Sequence, residues 1–260
     1  MSDSDLVRVT VEGGVAVLTL DNPPLNLVTL ELTRRLRDAL DRLAADPAAR
    51  VLVVTGAGAR AFCAGSDVSE FPSVADDVIR KKLAPENQAY SRLDDFPKPT
   101  IAALNGLAYG GGLELAVCCD ILVAGADVRL ALPEVKLGVL PGSGGPVRVL
   151  RRVGEGRAKE LMFTGDPIDA ETARGWGLVN RVVPPGHALA AALELARTLA
   201  DRPNRALQLI KEAADLAQDT TEDEAIRQTL ALSAAVFRTD DAREGVRAFF
   251  AKEAPRWRHR

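Results

Sequence analysis

The sequence predicts an α/β fold with mostly parallel strand pairing, followed by a helical C-terminal region. Two observations carry that expectation. Short β-branched or apolar runs alternate with segments of helical period as far as residue 183, and helical period alone fills the remainder. In chain order, residues 15–20 (VAVLTL) form a strand bounded by Gly13-Gly14 and by Asn22-Pro23-Pro24. Residues 29–45 carry Leu30, Leu32, Leu36, Leu40 and Leu43 at helical spacing and form an amphipathic helix. Residues 51–55 (VLVVT) are a fully apolar strand closed by Gly56. The pattern then recurs, with a strand at 100–103, a helix from Gly111, a strand at 121–124 and a further apolar piece at 130–132. Residues 68–90 are charged and contain Pro72 and Pro85, so the stretch from 68 to 95 is expected to be irregular or loosely helical near a site opening. Residues 180–183 are the last strand. Helices follow at 188–200, 203–217, 222–237 and 242–251. The simplest division is a core over residues 1–186 and a helical region over 187–260.

The chain has 260 residues, 47% hydrophobic and 27% charged, the profile of a folded soluble domain. A net charge of −3 and 4% aromatics argue against nucleic acid and against an anionic membrane as partners. Cys63, Cys118 and Cys119 include no CxxC pair, and with only His187 and His259 no Cys/His metal site of ordinary spacing can be built. The start, MSDSDLVRVT, lacks an apolar signal core, and no apolar stretch approaches the ~18 residues of a membrane span. The expected setting is the cytoplasm.

Several chemistries are missing. There is no GxSxG elbow, no GxGxxG after a first strand and no GxxxxGK[ST]. What remains is carboxylates, lysines and backbone amides. Two glutamates have surroundings wrong for a solvated charge. Glu114 lies in GLELAVCC, and Glu134 in LALPEVKLGVLPG. A buried carboxylate is costly unless paired or hydrogen-bonded. Glu114 can also be read as a helix-start residue favoured by the macrodipole, and Glu134 as a surface ion pair with Lys136 on the same face of an extended strand. Spacing alone does not say that the two meet. Glycines in AFCAGSDV and AYGGGLE let backbone approach a ligand, and amides at a helix start can hold a developing oxyanion. The basic run PRWRHR at 255–260 reads as a solvated tail, and the adjacent cysteines as buried small residues.

Taken together, ARAFCAGSDV at 59–68, PKPTIAALNGLAYGGGLELAVCCDI at 97–121, LALPEVKLGVLPGSGG at 130–145, FTGDPIDAETARGWGLVNRVVP at 163–184 and EGVRAFFAK at 244–252 resemble the crotonase family, the enoyl-CoA hydratase/isomerase superfamily. The resemblance runs over nearly the whole chain. It implies a spiral of repeated ββα units with a C-terminal all-helical trimerisation region, assembled as a homotrimer or a dimer of trimers. The substrate it implies is an acyl-CoA thioester, with no separate cofactor and no metal.

By the same resemblance the amides of Ser66 and Gly111 match the oxyanion hole. Arg60, Ala64, Asp67 and Gly142 match substrate- and CoA-binding positions, as do Phe249 and Lys252 near the C-terminus. Glu114 and Glu134 match the two catalytic glutamates of the hydratases, Glu114 as base at a helix start that favours its ionised form and Glu134 as acid. Ser66 stands where alanine is usual, Pro146-Val147 where Thr-Gln is frequent, and NLVT at 26–29 where NAL is more usual; these departures bear on the acyl group accepted.

Overall fold

The structure, a computed structural model, describes residues 6–259. The reading of the first five residues, and Arg260 of the basic run, lie outside the described residues. β1 (Val7–Glu12) and β2 (Val15–Leu20) form an antiparallel hairpin about the two glycines. α1 (Leu30–Ala45) follows, its first turn capped by Thr29, whose hydroxyl accepts from the Leu32 amide at 3.0 Å. Leu32, Leu36, Leu40 and Leu43 are buried, while Leu30 stays exposed at the helix start. Each buried leucine stabilises the fold by roughly 2 kcal/mol.

β3 (Val51–Gly56) pairs parallel with β2 and leads directly into β4 (Ala61–Cys63), which belongs to a different sheet. The segment expected to be irregular contains a 3-10 turn (Val68–Glu70), α2 (Phe71–Val74) and a π-helical turn (Ile79–Leu83). It then continues as a regular helix, α3 (Ala84–Asp94). Pro85 does not disrupt α3 because a first-turn residue has no obligatory N–H partner.

The same step repeats. β5 (Thr100–Leu104), β6 (Leu107–Tyr109) and α4 (Gly111–Ala116) make one turn of the chain. β7 (Ile121–Gly125), β8 (Arg129–Ala131), α5 (Gly145–Val153) and α6 (Glu155–Thr164) make the next. β9 (Ile168–Asp169), α7 (Ala170–Trp176) and β10 (Arg181–Val183) close the series. In the pairs β3–β4, β5–β6 and β7–β8 the first strand joins a six-stranded sheet of order β1-β2-β3-β5-β7-β10, parallel beyond the hairpin, which β10 completes at its edge. The second strand joins a four-stranded sheet of order β4-β6-β8-β9. The chain therefore winds as a spiral of ββα turns.

The main core lies between the two sheets and α1, and gathers Leu18, Leu36, Phe62, Tyr90, Leu104 and Leu122. The outer face of the large sheet is covered by α8 (Ala188–Ala200), whose Ala192, Ala196 and Ala200 pack on Val53, Ile101 and Val123. Dividing the chain after residue 186 would leave α8 with the appendage, whereas its alanines complete this second layer of the core. α9 (Asn204–Asp219), α10 (Glu222–Phe237) and α11 (Asp240–Ala251) bury little, and each leaves apolar residues exposed. The tail is not simply solvated. Trp257 packs near Gly245, and the amides of Arg256 and Arg258 donate to Glu244 and Asp241, at 2.9 and 2.6 Å.

Candidate active site

The small sheet positions the candidate residues. Its strands β4, β6 and β8 are neighbours and parallel. Ser66 follows the end of β4, Gly110 and Gly111 follow β6, and Glu134 follows β8. The segments thus emerge side by side at the C-terminal ends of adjacent strands, where α/β sheets expose their loops to ligands. The Gly110 amide donates to Ala131 at 2.9 Å, which locks the second segment to the third.

Ser66 is bridged to Val28: the Val28 amide donates to Gly65 O at 2.9 Å and the Asp67 amide to Val28 O at 3.0 Å. In such a parallel bridge the Ser66 N–H turns away from Val28. Gly111 opens α4, so its N–H has no partner within the helix. The two residues are in contact range, since a Cβ on Gly111 would lie 3.2 Å from Ser66 Oγ. The two residues whose amides the sequence predicts are therefore neighbours.

Glu114 lies in the first turn of α4 and is buried. Its Oε1 accepts from the amides of Ser143 and Gly145, both at 2.8 Å. Burial pushes its carboxyl up to about 7, the nearby Glu134 and Glu86 charges add to the rise, and the two amides oppose it. The expectation that the helix start favours the ionised form is corrected here, because loss of hydration outweighs the amides. α4 can sit this close because Gly112 has no side chain: a Cβ there would lie 2.0 Å from Cys63 O.

Glu134 lies in a 3-10 turn (Pro133–Leu137), not in an extended strand. Lys136 pairs with Asp166 at 2.7 Å, so the ion pair with Glu134 does not form. Glu134 turns inward instead. Its Oε1 would be 2.8 Å from a Cβ on Gly110, a residue at φ 51° one helical turn before Glu114. Its Oε2 is buried and has no hydrogen-bond partner. Burial raises its carboxyl, with Glu86 adding. The Glu134 carboxyl thus lies against Gly110 at the start of the helix that carries Glu114, near enough for its charge to raise the Glu114 carboxyl.

Other sequence-predicted residues are spread around this centre. Ala64 is half-buried and donates its amide to Leu25 O at 3.0 Å. Asp67 caps the 3-10 turn by accepting from Ser69 N at 2.9 Å, and its bonds with Ser69 hold its carboxyl below the usual range. Gly142 O accepts from Asn87 Nδ2 at 2.8 Å, which ties the loop before α5 to α3. Arg60 is exposed just ahead of β4. Phe249 and Lys252 lie at the exposed end of α11, which packs on α10, and the single chain does not bring them to the glutamates.

Sequence reasoning missed a buried polar group behind the amides. Glu86 on α3 accepts from Ser143 Oγ at 2.7 Å and from Ser66 Oγ at 3.3 Å, and Lys82 Nζ is 3.8 Å away. Tyr90 donates to Gly111 O at 2.8 Å. The signal was present: Lys82, Glu86, Tyr90 and Leu93 follow helical spacing along one buried face. Mixed charge and Pro85 concealed it. Among the described residues no cluster of His, Cys, Asp and Glu suited to a metal occurs, and no helix is long and apolar enough to cross a membrane.

Comparison with known proteins shows the family. Residues 10–260 match the family model described as enoyl-CoA hydratase/isomerase. The chain is 36% identical to crotonyl-CoA hydratase of Syntrophomonas wolfei, over 93% of each chain. It is 37% identical to 2,3-dehydroadipyl-CoA hydratase of Escherichia coli, over 99% of this chain and 100% of the relative. The crystal structure of enoyl-CoA hydratase from Bacillus anthracis superposes with a TM-score of 0.94 at 33% identity, over 98% of this chain and all of that one. On sequence and fold alike, the chain belongs to the enoyl-CoA hydratase/isomerase family.

Proposed function

We propose that the protein is a carbon–oxygen lyase that adds water to a 2-enoyl-CoA thioester and gives the 3-hydroxyacyl-CoA. The observation that carries this reading is the buried Glu114 carboxyl together with half-buried Glu134, whose Oε2 is buried without a partner and whose Oε1 lies against Gly110, beside two residues whose amides can hold an oxyanion. The thioester oxygen accepts from the N–H groups of Ser66 and Gly111. Polarising that carbonyl makes Cβ electrophilic and stabilises the enolate formed on attack, each donor contributing roughly 3 kcal/mol.

Glu114 is suited to the base role because both amides bind Oε1, leaving Oε2 to take a proton from water. The water oxygen bonds to Cβ, and the π electrons move onto the thioester oxygen. Glu134 then delivers its proton to Cα through the oxygen that has no protein partner. Glu114 ends protonated and Glu134 ionised, and one proton returned between them or through solvent resets the site. The charge of Glu134 raises the Glu114 carboxyl, so the two favour a state in which only one is ionised, the state the cycle needs.

Arg60, Ala64, Asp67 and Gly142 line the approach for the CoA portion in this reading. Phe249 and Lys252 reach it from a neighbouring copy, in a trimer or dimer of trimers built on α9–α11. Support for that assembly is the exposure of Leu230, Phe237, Phe249 and Phe250, an apolar surface that a free monomer rarely displays. The test is incubation with crotonyl-CoA. Loss of the conjugated-enoyl absorbance with gain of one water in mass supports hydration, whereas a 3-enoyl substrate converted without mass change, and no hydration, would reassign the chain to double-bond isomerisation.

A further inference from the structure

The reaction above uses neither Lys82 nor Glu86, yet both are 1% exposed, a costly placement for two charged side chains. Their contacts are specific. Glu86 accepts from Ser143 Oγ at 2.7 Å and from Ser66 Oγ at 3.3 Å. Lys82 Nζ lies 3.8 Å from Glu86, 3.0 Å from Glu70 and 3.4 Å from Val28 O. Glu86 therefore joins the two halves of the site: Ser66 presents an oxyanion amide, and the Ser143 amide holds Glu114. Asn87 ties α3 to the same loop through Gly142 O.

Two further features mark the pair. Lys82 sits in the π-helical turn Ile79–Leu83, a rare geometry that recurs at functional sites. The polar groups nearest Glu86 are two hydroxyls and one ammonium, each able to donate, while the Tyr90 hydroxyl is already spent on Gly111 O. Burial raises the Glu86 carboxyl and the Glu70 charge adds to the rise, while these donors oppose it and supply the contacts a carboxylate needs. We propose that Glu86, as a carboxylate paired with Lys82, is a positioning residue that fixes Ser66 and Ser143 against one another and biases Glu114 toward its protonated form. The proposal rests on Glu114 being the residue that takes the water's proton.

The groups facing Glu114 are Glu134 from the turn after β8, Glu86 and Tyr90 from α3, and Cys118 beyond α4, behind which Arg148 of α5 pairs with Asp94 at 2.9 Å. Those facing Glu86 are Lys82, Glu70, Tyr90, Cys63, Glu114 and Glu134. Removing the Glu86 charge leaves Lys82 less compensated, and both changes favour ionised Glu114.

Glu86→Gln keeps the size and one acceptor oxygen. Two readouts apply: the pH midpoint of kcat for crotonyl-CoA hydration, and a carbon NMR titration of the Glu114 carboxyl in the substrate-free protein, assigned by its loss in Glu114→Gln. Both midpoints should fall by about 0.5 pH unit or more. Unchanged midpoints in a folded Glu86→Gln protein would overturn the proposal. The NMR titration needs no turnover, so it tests the coupling even if the protein hydrates nothing, an outcome that would sink the hydratase reading instead. Should Glu86→Gln not fold, Ser143→Ala keeps the amide to Glu114 but removes the hydroxyl to Glu86. It should lower kcat at least tenfold, and an unaltered kcat and midpoint would overturn the proposal.

Discussion

The spiral core and the C-terminal helices break the usual sorting of residues in opposite directions. In the core, Glu114, Glu86 and Lys82 are buried, although charge prefers water. In α10 and α11, Phe237, Phe249 and Phe250 are 77%, 78% and 79% exposed, although aromatic rings prefer the interior. Each violation carries a cost in the isolated chain, and the proposed function gives each a binding partner. Buried carboxyls can gain reactivity from lost hydration, while the proposed assembly would bury the exposed rings against another copy. In the proposed reading the first departure serves chemistry and the second assembly.

The most severe way to break the core side of this contrast is to neutralise its charges. Glu114→Gln and Glu134→Gln should each lower kcat by roughly a thousandfold or more with little change in the fold, checked by initial rates and circular dichroism. Normal turnover in both would remove the carboxyls from the chemistry. Gly110→Ala should cost less, about tenfold to a hundredfold in kcat, because its Cβ would displace Glu134 Oε1 and strain a backbone at positive φ.

How far the sequence revealed these features depended on how local their causes are. The strand at residues 15–20 was legible to the residue, since β-branched side chains run between glycines and prolines that end it. The three-residue strands β4 and β6 were not, because AFC and LAY are too short to display a period. Glu114 and Glu134 stood out through apolar neighbours, but their proximity depends on the pairing of β6 with β8, which no spacing encodes. Glu86 was hidden for the same reason: Ser66 and Ser143, its partners, are 20 and 57 residues away in the chain.

A quieter prediction concerns stability. In the fold Glu114 titrates near 7, against 4.5 for an ordinary glutamate, so the native state holds more protons than the unfolded chain between those values. Stability then falls as pH rises through that window. Glu114→Gln should abolish this fall and stabilise the protein at pH 8 by on the order of 3 kcal/mol, seen in thermal melts, with no gain near pH 4. The same group predicts that wild-type kcat declines as pH drops below about 7, because a protonated Glu114 cannot accept from water.

The smallest effect on chemistry is expected at the other region. Phe237→Asp with Phe250→Asp should convert the assembly to smaller species by light scattering, while each chain keeps its helical spectrum. No change in mass would detach the exposed rings from assembly.

The most direct test of two carboxyls adding water across a double bond is isotopic. Crotonyl-CoA turned over in heavy-oxygen water, and separately in heavy water, should yield 3-hydroxybutyryl-CoA with one heavy oxygen on Cβ and one deuterium on Cα. Glu114→Gln and Glu134→Gln should form this product only at trace rates. Deuterium entering the acyl chain with no heavy oxygen bound would contradict hydration.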